Sequence, residues 1–588
     1  MTMKSLELLS GNEAIARGAY EAGVFFVAGY PGTPSTEILE EAARYKEINA
    51  QWSPNEKVAL DVAVGVAFGG RRAMAAMKHV GLNVAADTLM TLSYTGVNAG
   101  LVVVTVDDPG MHSSQNEQDN RTYAKFAKIP LLEPADSQEC KDYINLAFKI
   151  SERFDTPVLL RITARVAHSK SIVKLGYQLK TTMVNKSFIR NPAKFVMVPF
   201  NARRRRIFVE ERLKKLKEFA ERVWCNRIEW NKKIKGIITS GISYQYAKEV
   251  SPDSSILKLG MTYPLPELLI KRFAREFLNL YVIEELDPFL EEQIRTMEIR
   301  IKGKELFPTT DELNPDLVKK ALYKKSTKRI GLRLPLRLPT LCAGCSYLGL
   351  FYILKKLDLL VIGDIGCYSL AVSFPLLAID TCISMGSSIG VASGLEIASN
   401  NKTKKRIIAV IGDSTFIHSG ITALINVIYN KGTTLIIILD NQTIAMTGGQ
   451  DHPGTGITLK GERTPKLNYE SLIQALGIKK ITIIDSYNLK ESKEIIIREL
   501  NCGRPSVIIA RNPCLLIAKR KKDKLFRIII QRCIGCGECL KLGCSAIVKG
   551  EDRKPCIEFE ICNGCSLCKQ VCKVNAIEEM KVESQQKP

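Results

Sequence analysis

Nine cysteines crowd the stretch from Cys533 to Cys572, and eight of them fall in two runs that constrain this chain more than any other feature. Cys533-x2-Cys536-x2-Cys539-x4-Cys544 is followed by Cys562-x2-Cys565-x2-Cys568-x3-Cys572. Thiolates two residues apart on a tight turn can grip adjacent irons of one cubane, and the fourth cysteine of each run can reach the other cluster. Two 4Fe–4S clusters are therefore expected. One takes Cys533, Cys536, Cys539 and Cys572, and the other takes Cys562, Cys565, Cys568 and Cys544. Two details depart from the usual run: four residues precede Cys544, and Ser545 and Lys573 stand where proline commonly follows. CxxC pairs also serve zinc, but eight thiols in a double array favour iron–sulfur. Cys556 falls outside the pattern and reads as a spare thiol.

The whole chain, at 588 residues, is long enough for several cores. The segment Met1 to Gly11 lacks a basic-then-apolar leader, and no apolar run approaches the ~18 residues of a membrane span. With 17 cysteines in all, a cytoplasmic protein with metal clusters is expected in preference to a disulfide-linked one. Lys and Arg number 84 against 61 Asp and Glu, a net charge of +23. No nucleic-acid-binding signature accompanies that charge, which points instead to acidic redox proteins and phosphorylated cofactors.

Short apolar runs ending in turns mark buried parallel strands. Val24-Phe25-Phe26-Val27 ends at Gly29-Tyr30-Pro31-Gly32-Thr33-Pro34, and Leu101 to Val106 ends at Asp107-Asp108-Pro109-Gly110. Further strands are expected at 236–239, 280–283, 407–411 and 435–439. The boundaries predicted are an α/β domain over 1–180, a connector over 181–235, a second α/β domain over 236–330, and a third over 335–518. A cysteine module over 526–578 and a disordered tail over 579–588 complete the chain. The run Arg203-Arg204-Arg205-Arg206 reads as a solvated face, the Pro-rich 333–339 as a boundary, and Lys519-Arg520-Lys521-Lys522 as a linker.

A diphosphate site is legible in the third α/β stretch. Ile411-Gly412-Asp413-Ser414 ends one strand and Leu439-Asp440-Asn441-Gln442-Thr443 ends the next. Mg²⁺ bridging a diphosphate needs hard oxygen ligands. Asp413, the Asn441 side chain and the Thr443 carbonyl would supply them, while Gly412 and Ser414 line the phosphate approach. The pattern resembles the thiamine-diphosphate motif, with Ser414 in place of a glycine and Asp440 in place of an asparagine.

Longer matches follow. Gly363-Asp364-Ile365-Gly366-Cys367-Tyr368, Ser384-Met385-Gly386-Ser387-Ser388-Ile389-Gly390, His418-Ser419-Gly420-Ile421-Thr422 and Thr447 to Gly456 resemble the large subunit of the indolepyruvate ferredoxin oxidoreductases. Gly29 to Glu37, Asn55-Glu56-Lys57-Val58-Ala59 and His112 to Asp119 match the same family. The resemblance implies three doubly wound, parallel-sheet domains of the thiamine-enzyme type, with a C-terminal two-cluster ferredoxin-like α+β module. Residues 1–180 would bind the aminopyrimidine ring and 335–518 the diphosphate, while 236–330 looks like a transketolase C-terminal domain.

The same resemblance makes Glu56 the acid at a pyrimidine nitrogen; on chemistry alone it is a first-turn helix acid. Met385 would be the apolar wedge under the cofactor, with an ordinary core methionine as the alternative. Thr33 would contact the oxoacid, and His112, His418 and His452 are polar contacts without assigned roles. Cys342, Cys345, Cys367 and Cys514 resemble the ligands of a third, proximal cluster in pyruvate:ferredoxin oxidoreductases; buried structural thiols are the alternative. Ala343 and Ser346-Tyr347 depart from that family's pattern.

The implied reaction is oxidative decarboxylation of an aryl 2-oxoacid such as indolepyruvate or phenylpyruvate. Coenzyme A takes the acyl group and ferredoxin takes the electrons. A smaller second subunit is implied, in a heterodimer or heterotetramer. The alternatives are the same chemistry on pyruvate or another oxoacid, non-redox thiamine chemistry, and an iron–sulfur electron carrier with an inactive thiamine site. Neither nucleic acid nor membrane is an expected partner.

Overall fold

A computed structural model describes the chain apart from residues 1–4, 180–187, 189, 325–338, 519–523, 551–553 and 582–588 and the side chains at 233, 401, 402 and 581. The Pro-rich boundary over 333–338, the basic linker 519–522 and the tail beyond 581 thus lie outside the described residues. The chain forms two compact units, 1–331 with 459–461, and 332–458 with 462–588.

The first unit is built on seven strands in the order Met261–Tyr263, Leu131–Leu132, Val158–Thr163, Leu101–Asp107, Ala73–Lys78, Phe26–Gly29, Asn49–Trp52. Every neighbouring pair is parallel except the first. Alternation along one strand explains the layering. Val102, Val104 and Val106 face a core with Ile15 of the helix Gly11–Glu21 and Tyr143 and Phe148 of Ser137–Phe154. Leu101 and Val103 face the opposite core, with Leu60 of Glu56–Phe68 and Leu89 of Ala86–Thr95. A strand covered on both faces reads as a continuous apolar run, and each buried Val or Leu contributes about 1.5–3 kcal/mol. Ser10 starts the first helix with a capping box. Its Oγ accepts from Glu13 N–H at 3.2 Å, and Glu13 Oε2 accepts from Ser10 N–H at 2.6 Å.

The same unit holds a second sheet, ordered Leu280–Ile283, Lys232–Ser240, Ser254–Leu259, Arg227–Glu229, with only the last strand antiparallel. Two features differ from the expected boundaries. Met261–Tyr263, within the stretch expected to stand apart, joins the edge of the seven-stranded sheet, and Ile238, Leu257 and Leu259 share a core with Ala73 and Leu101. The helix Pro199–Ala220, expected as a connector, buries Leu216 and Ala220 in the core of Gly11–Glu21. Arg203, Arg204 and Arg206 are exposed as expected. Arg205 donates to the Tyr94 carbonyl at 2.6 Å and Arg212 to the Ser93 carbonyl at 2.7 Å. These carbonyls end the helix Ala86–Thr95 and lack intrahelical donors, so part of the charge run serves the fold.

The second unit centres on five parallel strands in the order Leu360–Ile362, Ile407–Gly412, Leu435–Asp440, Ser506–Arg511, Ile481–Ile484. Ile408, Val410, Ile437 and Leu439 face one core while Ile407, Ala409, Ile436 and Ile438 face the other. The cysteine module has two short antiparallel pairs, Lys524–Ile528 with Ile577–Lys581 and Ile547–Lys549 with Pro555–Ile557. Phe526, Leu542 and Leu567 of the module enter the core of Leu348 and Phe351 from the helix Ser346–Lys356.

Candidate functional site

The register that pairs Gly412 with Leu439 brings two strand ends to one edge of the five-stranded sheet. There Asp413 opens a short helix, Asp413–Thr415, which continues into the π-helical turn Phe416–Gly420. Asp413 is 3% exposed. Its Oδ1 accepts from Ser414 N–H at 2.8 Å and its Oδ2 from Gln442 N–H at 3.0 Å. Asn441 and Thr443 are buried beside it, and Asn441 Oδ1 accepts from Thr443 N–H at 3.3 Å. Gln442 between them takes a left-handed φ of 61°, which folds this loop back on itself.

Gly412 N–H donates to Tyr368 Oη at 3.1 Å. A Cβ on Gly412 would stand 3.4 Å from the Tyr368 ring, an ordinary contact, so no neighbour within the chain requires glycine there. Asp440 turns to Arg511, with Nε 2.6 Å from Oδ2, and burial beside Asp413 pushes its carboxyl up.

These residues suit a magnesium diphosphate. The buried carboxylate, the amide and the carbonyl of Thr443 are hard oxygens. His452 Nε2, 3.4 Å from Asp413 Oδ2, is buried and makes no hydrogen bond among the described residues. Met385 sits half-buried in the turn before the helix Ser387–Ala398, outside the apolar cores, which removes the reading as a core methionine. Asp364 fixes that turn, its carboxylate accepting from Gly386 N–H and Ser388 N–H, each at 2.9 Å. Gly386 has φ 82°, and any Cβ there would collide with Ser419; glycine is required. His418 Nδ1 lies 2.6 Å from Ser419 Oγ.

Cys342, Cys345, Cys367 and Cys514 lie close enough to act on one another electrostatically. Cys345 and Cys367 are pushed up to about 12 and 11, first by burial and then by neighbouring sulfurs that include Cys342 and Cys514. Cys514 N–H donates to the Asn441 carbonyl at 3.0 Å. Gly344, in the turn between Cys342 and Cys345, lies near Cys544 and lowers its thiol, which burial still pushes up. Buried thiols this weakly acidic stay protonated unless a metal takes the proton's place.

In the module, Cys544, Cys562, Cys565 and Cys568 line one hollow. Cys533, Cys536, Cys539 and Cys572 line another. Among the described residues no three His, Cys, Asp or Glu side chains converge as a single-ion site would.

In the first unit, Glu56 opens the helix Glu56–Phe68, capped by Asn55, whose Oδ1 accepts from Val58 N–H at 2.9 Å. Glu56 is 4% exposed and rests on Gly81, where a Cβ would stand 2.6 Å from Oε1. The Thr33 carbonyl accepts from Ser113 Oγ at 3.1 Å. His112 is solvent-facing, 3.6 Å from Glu312. Sequence reasoning missed Lys78, Asp108, Tyr368 and the Gly81 contact. A charged residue closing the otherwise apolar strand Ala73–Lys78 was the available signal for Lys78.

No helix among the described residues is long and apolar enough to cross a membrane. Residues 17–210 match the family model "Pyruvate flavodoxin/ferredoxin oxidoreductase, thiamine diP-bdg", and residues 364–510 match "Thiamine pyrophosphate enzyme, C-terminal TPP binding domain". The chain is 39% identical to the indolepyruvate oxidoreductase subunit IorA of Archaeoglobus fulgidus, over 97% of each chain. It is 40% identical to the IorA of Methanothermobacter marburgensis, over 97% of this chain and 96% of that one. A 2-oxoglutarate:ferredoxin oxidoreductase from Magnetococcus marinus aligns at TM-score 0.46 and 15% identity, covering 55% of this chain and 65% of that one.

Proposed function

The chain belongs to the indolepyruvate oxidoreductase IorA family of thiamine-diphosphate-dependent 2-oxoacid:ferredoxin oxidoreductases, and from that premise we propose that it oxidatively decarboxylates aryl 2-oxoacids. Indolepyruvate and phenylpyruvate are the substrates in this reading, with coenzyme A receiving the acyl group and a ferredoxin the electrons. A smaller second subunit completes the enzyme, and the location is cytoplasmic.

One observation carries the reading. Asn441, at the diphosphate edge, accepts through its carbonyl from Cys514 N–H, and Cys514 stands among Cys342, Cys345 and Cys367. Gly344, in the turn of that group, lines the next hollow together with Cys544, one of its four sulfurs. Simple decarboxylation needs no such succession of thiols; delivery of electrons does.

Bound thiamine diphosphate supplies a nucleophilic carbon for the oxoacid carbonyl. Asp413, Asn441 and the Thr443 carbonyl would hold the magnesium, and Gly412 and Ser414 would face the phosphates. Met385 would support the ring system from below. Glu56, buried and fixed by its helix start, would hold a proton at a ring nitrogen of the cofactor. Three clusters follow in this reading, one on Cys342, Cys345, Cys367 and Cys514 and two in the module.

The test is an anaerobic assay of the chain with its small subunit, thiamine diphosphate, Mg²⁺ and coenzyme A, reading viologen reduction. Reduction with indolepyruvate and phenylpyruvate above that with pyruvate supports the proposal. Preference for pyruvate moves the substrate. No reduction with any oxoacid, with thiamine bound and clusters filled, leaves the electron-carrier reading.

A further inference from the structure

Four strands of the seven-stranded sheet end near one another along its carboxyl edge, where open parallel sheets bind ligands. Glu56 follows one, Thr33 another, Asp108 a third, and Lys78 ends the fourth. Lys78 has no role in the reaction as proposed. Its side chain is 8% exposed, an environment in which an ammonium is costly unless compensated.

The compensation present is incomplete. Lys78 Nζ donates to the Ser113 carbonyl at 2.6 Å and contacts Ser113 Oγ at 3.3 Å. An ammonium has three N–H groups, so one is unspent among the described residues. Asp108 is the nearby carboxylate, yet its Oδ2 is committed elsewhere, accepting from Ser113 N–H at 2.8 Å, Ser113 Oγ at 3.2 Å, and Ser114 Oγ. No ion pair closes between Asp108 and Lys78. Neighbouring His79 adds no positive charge, because burial beside Lys78 lowers it to about 4. The site is thus a nearly enclosed cation with one free donor.

Its position narrows the anion. Gly32, next to Thr33, packs its Cα face on Lys78, where a Cβ would stand 3.2 Å from the lysine Cβ. Ser113 Oγ ties the same lysine to the Thr33 carbonyl at 3.1 Å. Lys78 also leads the short helix His79–Val84, whose Gly81 touches Glu56. One donor in a small enclosure suits a monoanion, whereas a phosphate dianion is usually met by several donors.

We propose that Lys78 is the substrate-carboxylate anchor: its free N–H binds the carboxylate of the 2-oxoacid beside the Thr33 turn. This rests on the oxidoreductase reading and assigns the recognition of the acid group. Burial, against the attraction of Asp108, lowers the ammonium to about 8. The anchor is charged below that pH and lost above it.

The experiment uses the two-subunit complex with thiamine diphosphate, Mg²⁺ and reconstituted clusters. KM and kcat for phenylpyruvate are measured from pH 6.5 to 9.5 for wild type, Lys78→Met, Lys78→Gln and Lys78→Arg. Binding of 3-phenylpropionate, a carboxylate without the reactive carbonyl, is measured by calorimetry on the same proteins. A charge-assisted hydrogen bond predicts that K78M raises KM and the 3-phenylpropionate Kd about 10- to 100-fold. Thiamine diphosphate affinity should be unchanged and K78R should recover most of the loss. Wild-type KM should rise as pH passes about 8, and the K78M profile should be flat.

A K78M enzyme with wild-type KM, Kd and pH profile overturns the anchor while the oxidoreductase reading stands. If K78M fails to fold, K78Q against K78R makes the same distinction. A wild-type complex inert toward every oxoacid overturns both.

Discussion

The carboxyl group of Glu56 lies directly on the Cα of Gly81, where a methyl would sit 2.6 Å from Oε1 and 2.7 Å from Cγ. Gly81 is mid-helix, so its value there is the missing side chain and not its backbone freedom. Gly81→Ala is therefore expected to displace Glu56. Overpacking should cost about 1–3 kcal/mol, with kcat falling at least about 100-fold, the scale of a lost acid–base group. Thermal melting alongside oxoacid-dependent viologen reduction checks this; an active G81A with an unshifted melt would separate Glu56 from the chemistry.

The two module hollows each draw three sulfurs from one run and the fourth from the other. Cys572→Ser should then perturb the cluster of Cys533, Cys536 and Cys539, and Cys544→Ser that of Cys562, Cys565 and Cys568. Iron analysis with electron paramagnetic resonance of each reduced variant reads this out. Perturbation confined to the cluster of the mutated cysteine's own run would reverse the assignment.

Asp413 joins both strand-end loops through Ser414 and Gln442. Asp413→Ala should weaken thiamine diphosphate at least about 100-fold in the presence of Mg²⁺, the span of about 2.7 kcal/mol. Equilibrium dialysis measures it. Clusters should remain filled, since no thiol is lost.

Glu285 offers a pH test of stability. Burial raises its carboxyl from 4.5 to about 7, Oε1 accepts from Leu313 N–H at 3.1 Å, and Oε2 has no partner among the described residues. The folded state holds this proton more tightly than the unfolded chain, so the stabilisation is present below about pH 4.5. It fades as pH rises towards 7. Glu285→Gln should flatten that slope and raise stability at pH 8 by on the order of 2 kcal/mol. Denaturant unfolding at pH 5 and pH 8 decides it, an unchanged slope counting against the assignment.

Much of this was legible because apolar runs and strand ends are local properties. Leu280–Ile283 and Leu435–Asp440 appear where β-rich apolar runs meet turns. What escaped depended on distant residues meeting. Nothing local tells Met261–Tyr263 to leave its own segment for the edge beside Leu131–Leu132. Arg205 read as solvated until the helix end at Ser93 to Thr95 gave it a carbonyl to cap. Lys78 was likewise silent, since its meaning comes from Ser113 and Thr33, remote in sequence.

Phe526, Leu542 and Leu567 are interior residues of the core they share with Leu348 and Phe351. Carriers that diffuse meet their donors at a rate set by concentration; a carrier walled into its donor's own interior has no encounter to wait for. In the proposed reaction the first handover within this chain would accordingly be unimolecular, indifferent to dilution and to salt. Only the departure of electrons to an outside acceptor should respond to either.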